Sequence, residues 1–192
     1  MPVWAIVLIV LFGVLILGVV AIICWIISIY NTLIKLRNSA EEAFSTMDVY
    51  MKKRYDLIPN LVETVKGFAK HEKEALEGVM QARYSCMSAN TPEERVKSEN
   101  MLAGTLKSLF AVTENYPQLQ ANQNFLDLQN TLKSLENEIA TARKYYNGSV
   151  KILNNKIEMF PSNFVAKWFK FERKTLFEIE IKEERTAPKV KF

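Results

Sequence analysis

The single histidine is the first residue to test for metal or acid–base chemistry. His71 begins the string HEKEA (71–75), and a zinc-protease helix needs a second histidine where this chain has Ala75. A carboxylate-bridged di-iron bundle needs a glutamate three residues before a histidine, and Phe68 occupies that position. With 1 His and 2 Cys in 192 residues, the sequence predicts neither a metal centre nor a disulfide framework.

Other patterns that could carry catalysis are sparse. Gly67 and Gly78 stand singly within helical patterns, which is not a glycine-rich phosphate loop. The acidic pairs are adjacent, and adjacent residues point in different directions around a helix. Carboxylates that face each other across a bundle stay open as an alternative. We therefore predict that the protein is not an enzyme and has no catalytic residue, cofactor or metal. The acidic pairs are Glu41 with Glu42, Glu93 with Glu94, and Glu183 with Glu184.

The most distinctive chemistry lies near the C-terminus, where basic and aromatic side chains alternate. In one hypothesis these residues contact the membrane surface, with rings at headgroup level and cations on anionic lipid. In the other, which we favour, Trp168, Phe169 and Phe171 cover the open end of a helical bundle. No recognition motif accompanies the cluster, so nucleic acid is not an expected partner. The cluster comprises Lys167, Trp168, Phe169, Lys170, Phe171, Arg173 and Lys174.

The elements that position these residues begin with an apolar N-terminal segment. Residues 1–29 carry no charged side chain, and from Val3 to Ile29 only two glycines and one serine interrupt the apolar run. Such a helix rises about 40 Å, against about 30 Å for the hydrocarbon core of a bilayer. No basic n-region precedes the run, as a cleavable signal would require. Because Lys35 and Arg37 follow it, the positive-inside rule places the N-terminus outside and the rest in the cytoplasm.

Helical periodicity continues beyond the apolar run. Apolar residues spaced by three and four from Leu33 to Tyr55 predict a helix that continues straight out of the membrane. Pro59 lacks an amide proton, so we expect it to kink this helix or to begin a new one. A second apolar stripe then runs from Ile58 to about Met87.

Capping residues place two further helices. Thr91 and Glu94 flank a proline in the pattern of a capping box, which predicts a third helix that closes at Tyr116. Asn122 is the predicted cap of the longest pattern, about forty residues ending at Pro161. Amphipathic helices joined by short breaks must bury their stripes against one another.

The predicted fold class is therefore all-α. A single N-terminal transmembrane helix precedes an antiparallel up-and-down bundle of about four long helices, with a short C-terminal helix and extended tail. The predicted domains are residues 1–29 (short external N-terminus and transmembrane helix), 30–161 (cytoplasmic bundle) and 162–192 (basic aromatic tail packed on bundle or membrane). Within the tail we expect a short helix over 162–169. The alternation of Phe177, Ile179 and Ile181 with charged residues predicts a short extended segment or an arm lying on the bundle.

A long run of residues resembles the signature of the bacterial LemA family. The string KRYDLIPNLVETVKG (53–67) carries the resemblance most strongly. Local departures are Phe44 where a Trp is expected, Gln120 where a Lys is usual, and Lys170 where a small residue is common. The resemblance implies one membrane span and a cytoplasmic helical bundle, with no established catalytic residue or cofactor. It also implies links to membrane zinc proteases and to magnetosome membrane formation. Further matching residues include Tyr30, Arg37, Met47, Asp48, His71, Glu114, Tyr116, Pro117, Asn122, Phe125, Arg143, Tyr146, Asn147, Phe160, Pro161, Pro188, Val190 and Phe192.

The LemA-like string contains a candidate structural or docking motif. Its members are Arg54, Tyr55, Asp56, Pro59 and Asn60. The polar residues could pair with one another and satisfy backbone groups that Pro59 frees, or they could present a docking face. We favour pairing, which predicts that Asp56→Ala lowers the melting temperature.

These features predict a non-enzymatic, membrane-anchored cytoplasmic scaffold. Its bundle faces would organise further copies of itself or other membrane proteins, because anchoring raises the effective concentration of partners. The alternative is a membrane-shaping or lipid-binding module that acts through the basic aromatic segment. The expected partners are the lipid bilayer, a homo-oligomer and other membrane proteins such as a membrane zinc protease. The expected location is the bacterial cytoplasmic (inner) membrane, crossed once.

Overall fold

The computed structural model describes residues 2–177, apart from the side chains of residues 5–7 and 93. In this part of the chain every regular element is an α-helix, which confirms the predicted all-α fold. The helices are α1 (Val3–Phe68), α2 (Lys73–Ser88), α3 (Pro92–Thr113), α4 (Pro117–Gln120), α5 (Gln123–Glu158) and α6 (Ser162–Trp168).

The first part of helix α1 is a bare apolar stretch, whose apolar side chains are exposed. Phe12 is 64% exposed and Leu17 is 71% exposed, and the apolar stretch is long enough to cross a membrane by length and composition. Burial of α1 side chains begins at Ile29 and becomes complete at Leu33. An apolar surface of this extent is covered in functional proteins by lipid or by another protein.

Pro59 does not begin a new helix. Helix α1 runs through it to Phe68, so that alternative of the sequence prediction is wrong. The flanking side chains Ile58 and Leu61 are fully buried, and their packing holds the helix across the lost backbone hydrogen bond. The chain leaves the helix instead at Ala69, four residues before α2.

The chain divides into two compact units, each built from segments distant in sequence. The N-terminal unit combines the chain up to Glu42 with Gly148–Lys174. The bundle unit combines Ala43–Asn147 with the segment that starts at Thr175. Helices α1 and α5 each contribute to both units.

The bundle unit is an up-and-down arrangement of four long helical segments, as predicted. Segments of α1 and α3 run in the same direction, while α2 and the first part of α5 run against them. Their facing stripes exclude water, and each fully buried leucine contributes about 1.5–3 kcal/mol. Between α1 and α3, Asp48 contacts Arg95 and Tyr55 contacts Glu99. Between α1 and α5, Phe44 contacts Tyr146 and Arg54 contacts Glu136. Between α1 and α2, Tyr55 contacts Arg83.

Both predicted helix caps are present. The Thr91 hydroxyl accepts from the amide of Glu94 at 3.1 Å, and the Glu94 carboxylate accepts from the amide of Thr91 at 3.3 Å. This reciprocal pair is the predicted capping box. The Asn122 side chain accepts from the amide of Phe125 at 3.1 Å at the start of α5. Helix α4, a single turn that begins at Pro117, was not predicted.

In the N-terminal unit, the end of α5, helix α6 and the following residues pack with the first part of α1. Leu153, Val165 and Ala166 are buried there, and α6 confirms the predicted short helix. Asn154 accepts from the backbone amide of Lys174 at 3.0 Å and donates to its carbonyl at 2.9 Å. These bonds hold the chain after α6 against α5. The predicted extended residues Ile179 and Ile181 lie outside the described part of the chain.

Candidate functional site

A buried guanidinium lies at the centre of the bundle unit. Arg54 projects from α1 and donates through its two terminal nitrogens to Glu99 of α3 and Glu136 of α5. The side chains of Arg54 and Glu99 are 1% and 0% exposed, whereas that of Glu136 is 42% exposed. Burial alone lowers the pKa of Arg54, but the charges of Glu99 and Glu136 outweigh it and leave the pKa raised. Arg54 is therefore a permanent cation that joins three helices.

Two further groups complete this buried charge cluster, which we define as Arg54, Tyr55, Cys86, Glu99 and Glu136. The Tyr55 hydroxyl donates to Glu99, and burial and the Glu99 charge raise the pKa of Tyr55 above its ordinary value. Burial and the same carboxylate raise the pKa of the Cys86 thiol to about 12. Both groups are neutral at physiological pH, so Cys86 lacks the thiolate that a nucleophilic cysteine needs.

The predicted pairing of Arg54 with Asp56 and Asn60 does not occur. An α-helix turns about 100° per residue, so positions two and six residues beyond Arg54 face away from it. Asp56 and Asn60 are accordingly exposed, and Pro59 is half-buried. The motif therefore separates into a core-facing pair, Arg54 with Tyr55, and an outer face.

A second arginine approaches the buried charge cluster from α5. Arg143 lies over the ring of Phe177, 4.7 Å from its centroid, and burial lowers the pKa of Arg143. The amide of Phe177 donates to the Asn147 side chain at 2.7 Å, and its carbonyl accepts from the same side chain at 3.0 Å. In the residues described, no group of three or more His, Cys, Asp and Glu side chains converges as a metal site requires. The arrangement holds helices together by charge and hydrogen bonding.

The basic aromatic cluster lies in the N-terminal unit, against α1. The Tyr30 ring is 4.7 Å from the Phe169 ring and 5.9 Å from the Phe171 ring, centroid to centroid. Arg37 lies 5.8 Å from the centroid of Phe171. Phe171 is half-buried, but Trp168 is 78% exposed. Trp168 therefore does not cover the end of a bundle in this structure.

Two of the four basic residues in this cluster form ion pairs. Lys174 pairs with Glu41 at 3.0 Å and Arg173 pairs with Glu158 at 2.9 Å. Lys167 and Lys170 are exposed. The cluster thus combines two structural cations with two that remain available to solvent or to a ligand.

Comparison with known sequences decides the family. A sequence model of the LemA family matches residues 43–192. The chain belongs to the LemA family. The match begins at Ala43, which is also where the bundle unit begins. The resemblance seen in the sequence is thereby confirmed.

Several characterised sequences are similar to this LemA-family chain. Magnetosome protein MamQ 1 of Paramagnetospirillum magneticum is 24% identical over 189 residues, covering 85% of this chain and 70% of that protein. Magnetosome protein MamQ of Magnetospirillum gryphiswaldense is 22% identical over 188 residues, covering 84% and 69%. Protein LemA of Metamycoplasma hominis is 26% identical over 140 residues, covering 71% and 63%. The chain thus spans about two thirds of the length of these relatives, and none of their names states a reaction.

The sequence pattern of this LemA-family chain did not identify Glu99 and Glu136, the two carboxylates of the buried charge cluster. Glu99 lies three residues after Val96 and three before Leu102, which places it on the apolar stripe of α3. A charged residue in such a stripe was the available signal. The pairing of Glu99 and Glu136 with Arg54 depends on tertiary packing, which the spacing of residues along the sequence does not reveal.

Two exposed aromatic residues were also missed. Phe160 directly precedes Pro161, where the longest predicted helical pattern ends; it is 78% exposed, and Phe164 is 66% exposed. Their rings lie 6.0 Å apart. The spacing of four from Phe164 to Trp168, both in α6, was the signal for a common face.

Proposed function

We propose that this LemA-family protein is a non-enzymatic scaffold anchored in a membrane by α1. One observation carries the proposal: the bare apolar stretch and the first helix of the bundle unit belong to a single helix that runs from Val3 to Phe68. A helix of this kind ties the bundle unit to the bilayer without a flexible linker. Partners that bind the bundle are then confined to a surface, which raises their effective concentration.

The charges beside the apolar stretch support a defined topology. Lys35 and Arg37 follow it directly, so we place the bundle unit in the cytoplasm and the N-terminus outside the inner membrane. The protein would cross the membrane once.

Further copies of this chain and other membrane proteins are the partners we propose. The relatives called MamQ are named as magnetosome proteins, which is compatible with the membrane-associated role that we propose for this chain. A membrane zinc protease is one further candidate partner. Bundle faces, rather than a catalytic site, would make these contacts.

Membrane extraction tests the anchor. We expect the full chain to stay in the pellet after alkaline carbonate and to enter solution with detergent. Replacing Leu17 by Arg should impair retention, because a charge near the centre of a span costs about 2.5–3.5 kcal/mol. Leu126→Arg, on the half-buried side of α5, is the matched control outside the span. Wild-type protein in the carbonate supernatant would refute the anchor.

Crosslinking in intact membranes, followed by mass measurement in mild detergent, tests the scaffold. We expect crosslinked species that contain two or more copies, and a detergent-corrected mass that is a multiple of the chain mass. A monomer that crosslinks to no neighbour, in protein that resists carbonate, would refute the scaffold while leaving the anchor in place.

Lipid binding by the basic aromatic cluster is a second candidate function. The observation that favours it is the 78% exposure of Trp168, a large apolar ring stacked beside Phe169. Replacing Trp4 and Trp25 by Phe leaves Trp168 as the only tryptophan, so its fluorescence can be quenched by brominated lipids. We expect strong quenching by bromines near the headgroups. Emission typical of water, with no quenching, would exclude this function.

A further inference from the structure

A polar groove of about 430 Å³ opens in the N-terminal unit, just beyond the bare stretch of α1. Tyr30 and Arg37 of α1 form one wall, and Phe169–Lys174 forms the opposite wall. Tyr30 directly follows Ile29, where burial of α1 begins. If α1 spans a bilayer, as proposed above, this groove lies at the level of the lipid headgroups.

The groove carries an excess of positive charge. Its lining includes four basic side chains (Arg37, Lys170, Arg173 and Lys174) and two acidic ones (Glu41 and Glu172), a net charge of +2. Arg173 and Lys174 are already held in ion pairs. Among the side chains that the structure describes, no carboxylate lies within ion-pair distance of Arg37 or Lys170. Two cations in one groove therefore remain for an anionic ligand.

Arg37 is oriented by the aromatic wall. Its guanidinium lies 5.8 Å from the centroid of Phe171, a cation–π contact that limits the directions it can take. A planar guanidinium held in this way can present two parallel N–H donors to phosphate oxygens.

Lys170 occupies a backbone position that glycine fits better. It follows the C-cap of α6 with φ 55°. The amide of Phe171 donates to the carbonyl of Ala166 at 2.9 Å, and that of Lys170 donates to the carbonyl of Lys167 at 3.2 Å. These two bonds define a Schellman motif, whose left-handed residue is usually glycine. The chain thus places a cationic side chain at the groove despite the steric cost of a Cβ there.

Exposed aromatic rings adjoin the groove. Trp168 stacks beside Phe169, with centroids 6.4 Å apart, and Phe164 of the same short helix is 66% exposed. Amphipathic and aromatic rings favour the interfacial layer of a membrane. A ligand that offers both an anionic headgroup and an apolar body therefore fits this region.

We propose that this groove binds the headgroup of an anionic phospholipid, with Arg37 and Lys170 holding its phosphate. The proposal rests on the membrane span of α1. It specifies a lipid site of defined residues in place of general attraction between a basic surface and a bilayer.

Native mass spectrometry of the detergent-solubilised full chain tests the site, with phosphatidylglycerol and phosphatidylcholine as probes. We expect Arg37→Gln and Lys170→Gly each to weaken phosphatidylglycerol binding about five-fold, the effect of one cation near an anionic surface. Lys170→Gly should keep or raise the melting temperature, because glycine adopts φ 55° without strain. Lys35→Gln, which removes an exposed charge from the same part of α1 but outside the groove, is the matched control and should leave binding unchanged.

Three outcomes would overturn the site. An equal loss with Lys35→Gln would mean that only the general surface charge matters. Equal binding of phosphatidylcholine and phosphatidylglycerol by the wild type would mean that the headgroup charge is not recognised. Inorganic phosphate that binds as tightly as phosphatidylglycerol would identify a site for the free anion. Carbonate extraction of the same preparations shows separately whether the anchor itself has failed.

Discussion

Removing the buried guanidinium at residue 54 is the perturbation for which the structure predicts the largest effect. Arg54→Ala leaves the carboxylate of Glu99, whose side chain is 0% exposed, without its charge partner. Breaking a buried pair in this way costs about 3–5 kcal/mol. Tyr55 still donates to Glu99, and Glu136 is exposed enough to be hydrated. We therefore expect the lower part of that range, about 3–4 kcal/mol.

A second substitution shows whether the lost charge partner is the cause. In the double variant Arg54→Met with Glu99→Gln, no buried carboxylate remains, and the Gln carbonyl can still accept from Tyr55. We expect the double variant to recover at least half of the stability that Arg54→Ala loses. Asp56→Ala is the matched control on the same turn of α1. Because Asp56 is exposed, its loss should change stability by no more than about 0.5 kcal/mol.

Thermal unfolding of the full chain in mild detergent, followed by far-ultraviolet circular dichroism, measures these effects. In a protein of this size 1 kcal/mol shifts Tm by about 2–4 °C, so Arg54→Ala should lower Tm by about 6–16 °C. A shift no larger than that of Asp56→Ala would refute the buried position of Arg54. Arg54→Met and Glu99→Gln are also made singly, and a double variant as unstable as these two added together would refute the coupling between Arg54 and Glu99.

Three smaller perturbations test other parts of the bundle unit. Thr91→Ala removes the capping box and should cost about 1 kcal/mol in thermal unfolding, whereas Thr91→Ser should be nearly neutral. Because the folded pKa of Cys86 is raised to about 12, its contribution to stability should be complete below about pH 9 and should be lost progressively as pH rises toward 12. Cys86→Ala should remove the first part of this fall, and Tyr55, whose pKa is also raised, should continue it above about pH 10. Asn147→Ala loses both hydrogen bonds to the backbone of Phe177 and should speed tryptic cleavage near that residue, with unchanged cleavage at the start of α3 as the internal control.

Local chemistry predicted most of the helices, and tertiary packing decided the exceptions. Thr91 with Glu94 and Asn122 marked the starts of α3 and α5 because capping needs specific side chains at specific offsets. Pro59 does not begin a new helix, which was one of its two predicted roles, because the burial of its neighbours outweighs its local preference to end a helix. The break after Phe68 has no proline, and no sequence signal placed it there.

The site was less predictable than the fold, because its residues meet across helices. The sequence contains 21 acidic residues that could pair with Arg54, and only the packing of the helices selects Glu99 and Glu136. The contacts of Asn147 with Phe177 and of Asn154 with Lys174 do agree with the spacing of these residues in the sequence. Asn147 and Asn154 are seven residues apart in a helix, the residues they bind are three apart in an irregular segment, and both spacings correspond to about 10 Å.

The buried charge cluster also raises the question of why the core of this bundle contains charges at all. Apolar residues of similar volume are often equally or more stabilising than a buried ion pair. Amphipathic helices, however, can pack in several registers that bury the same apolar area. Arg54 reaches Glu99 and Glu136 together in the observed register. Our hypothesis is that a shifted register would break at least one of these pairs, so that the cluster selects one packing at some cost in stability. The proposed binding of partners through the bundle faces requires one defined surface, and the cluster would provide it at that cost.

A variant that lacks the cluster tests for unique packing, which stability measurements alone would not detect. The triple variant replaces Arg54 by Met, Tyr55 by Phe and Glu99 by Leu. It removes the cluster and leaves no buried polar side chain without a partner at these three positions. We expect Tm to stay the same or to rise, while backbone amides in the middle of α3 and α5 exchange faster with solvent, because several registers become accessible. Crosslinking between copies in membranes should weaken in parallel. If amide protection stays at the wild-type level, the cluster is not needed for a unique packing, and its role must lie in direct contacts of Glu136, its one partly exposed carboxylate.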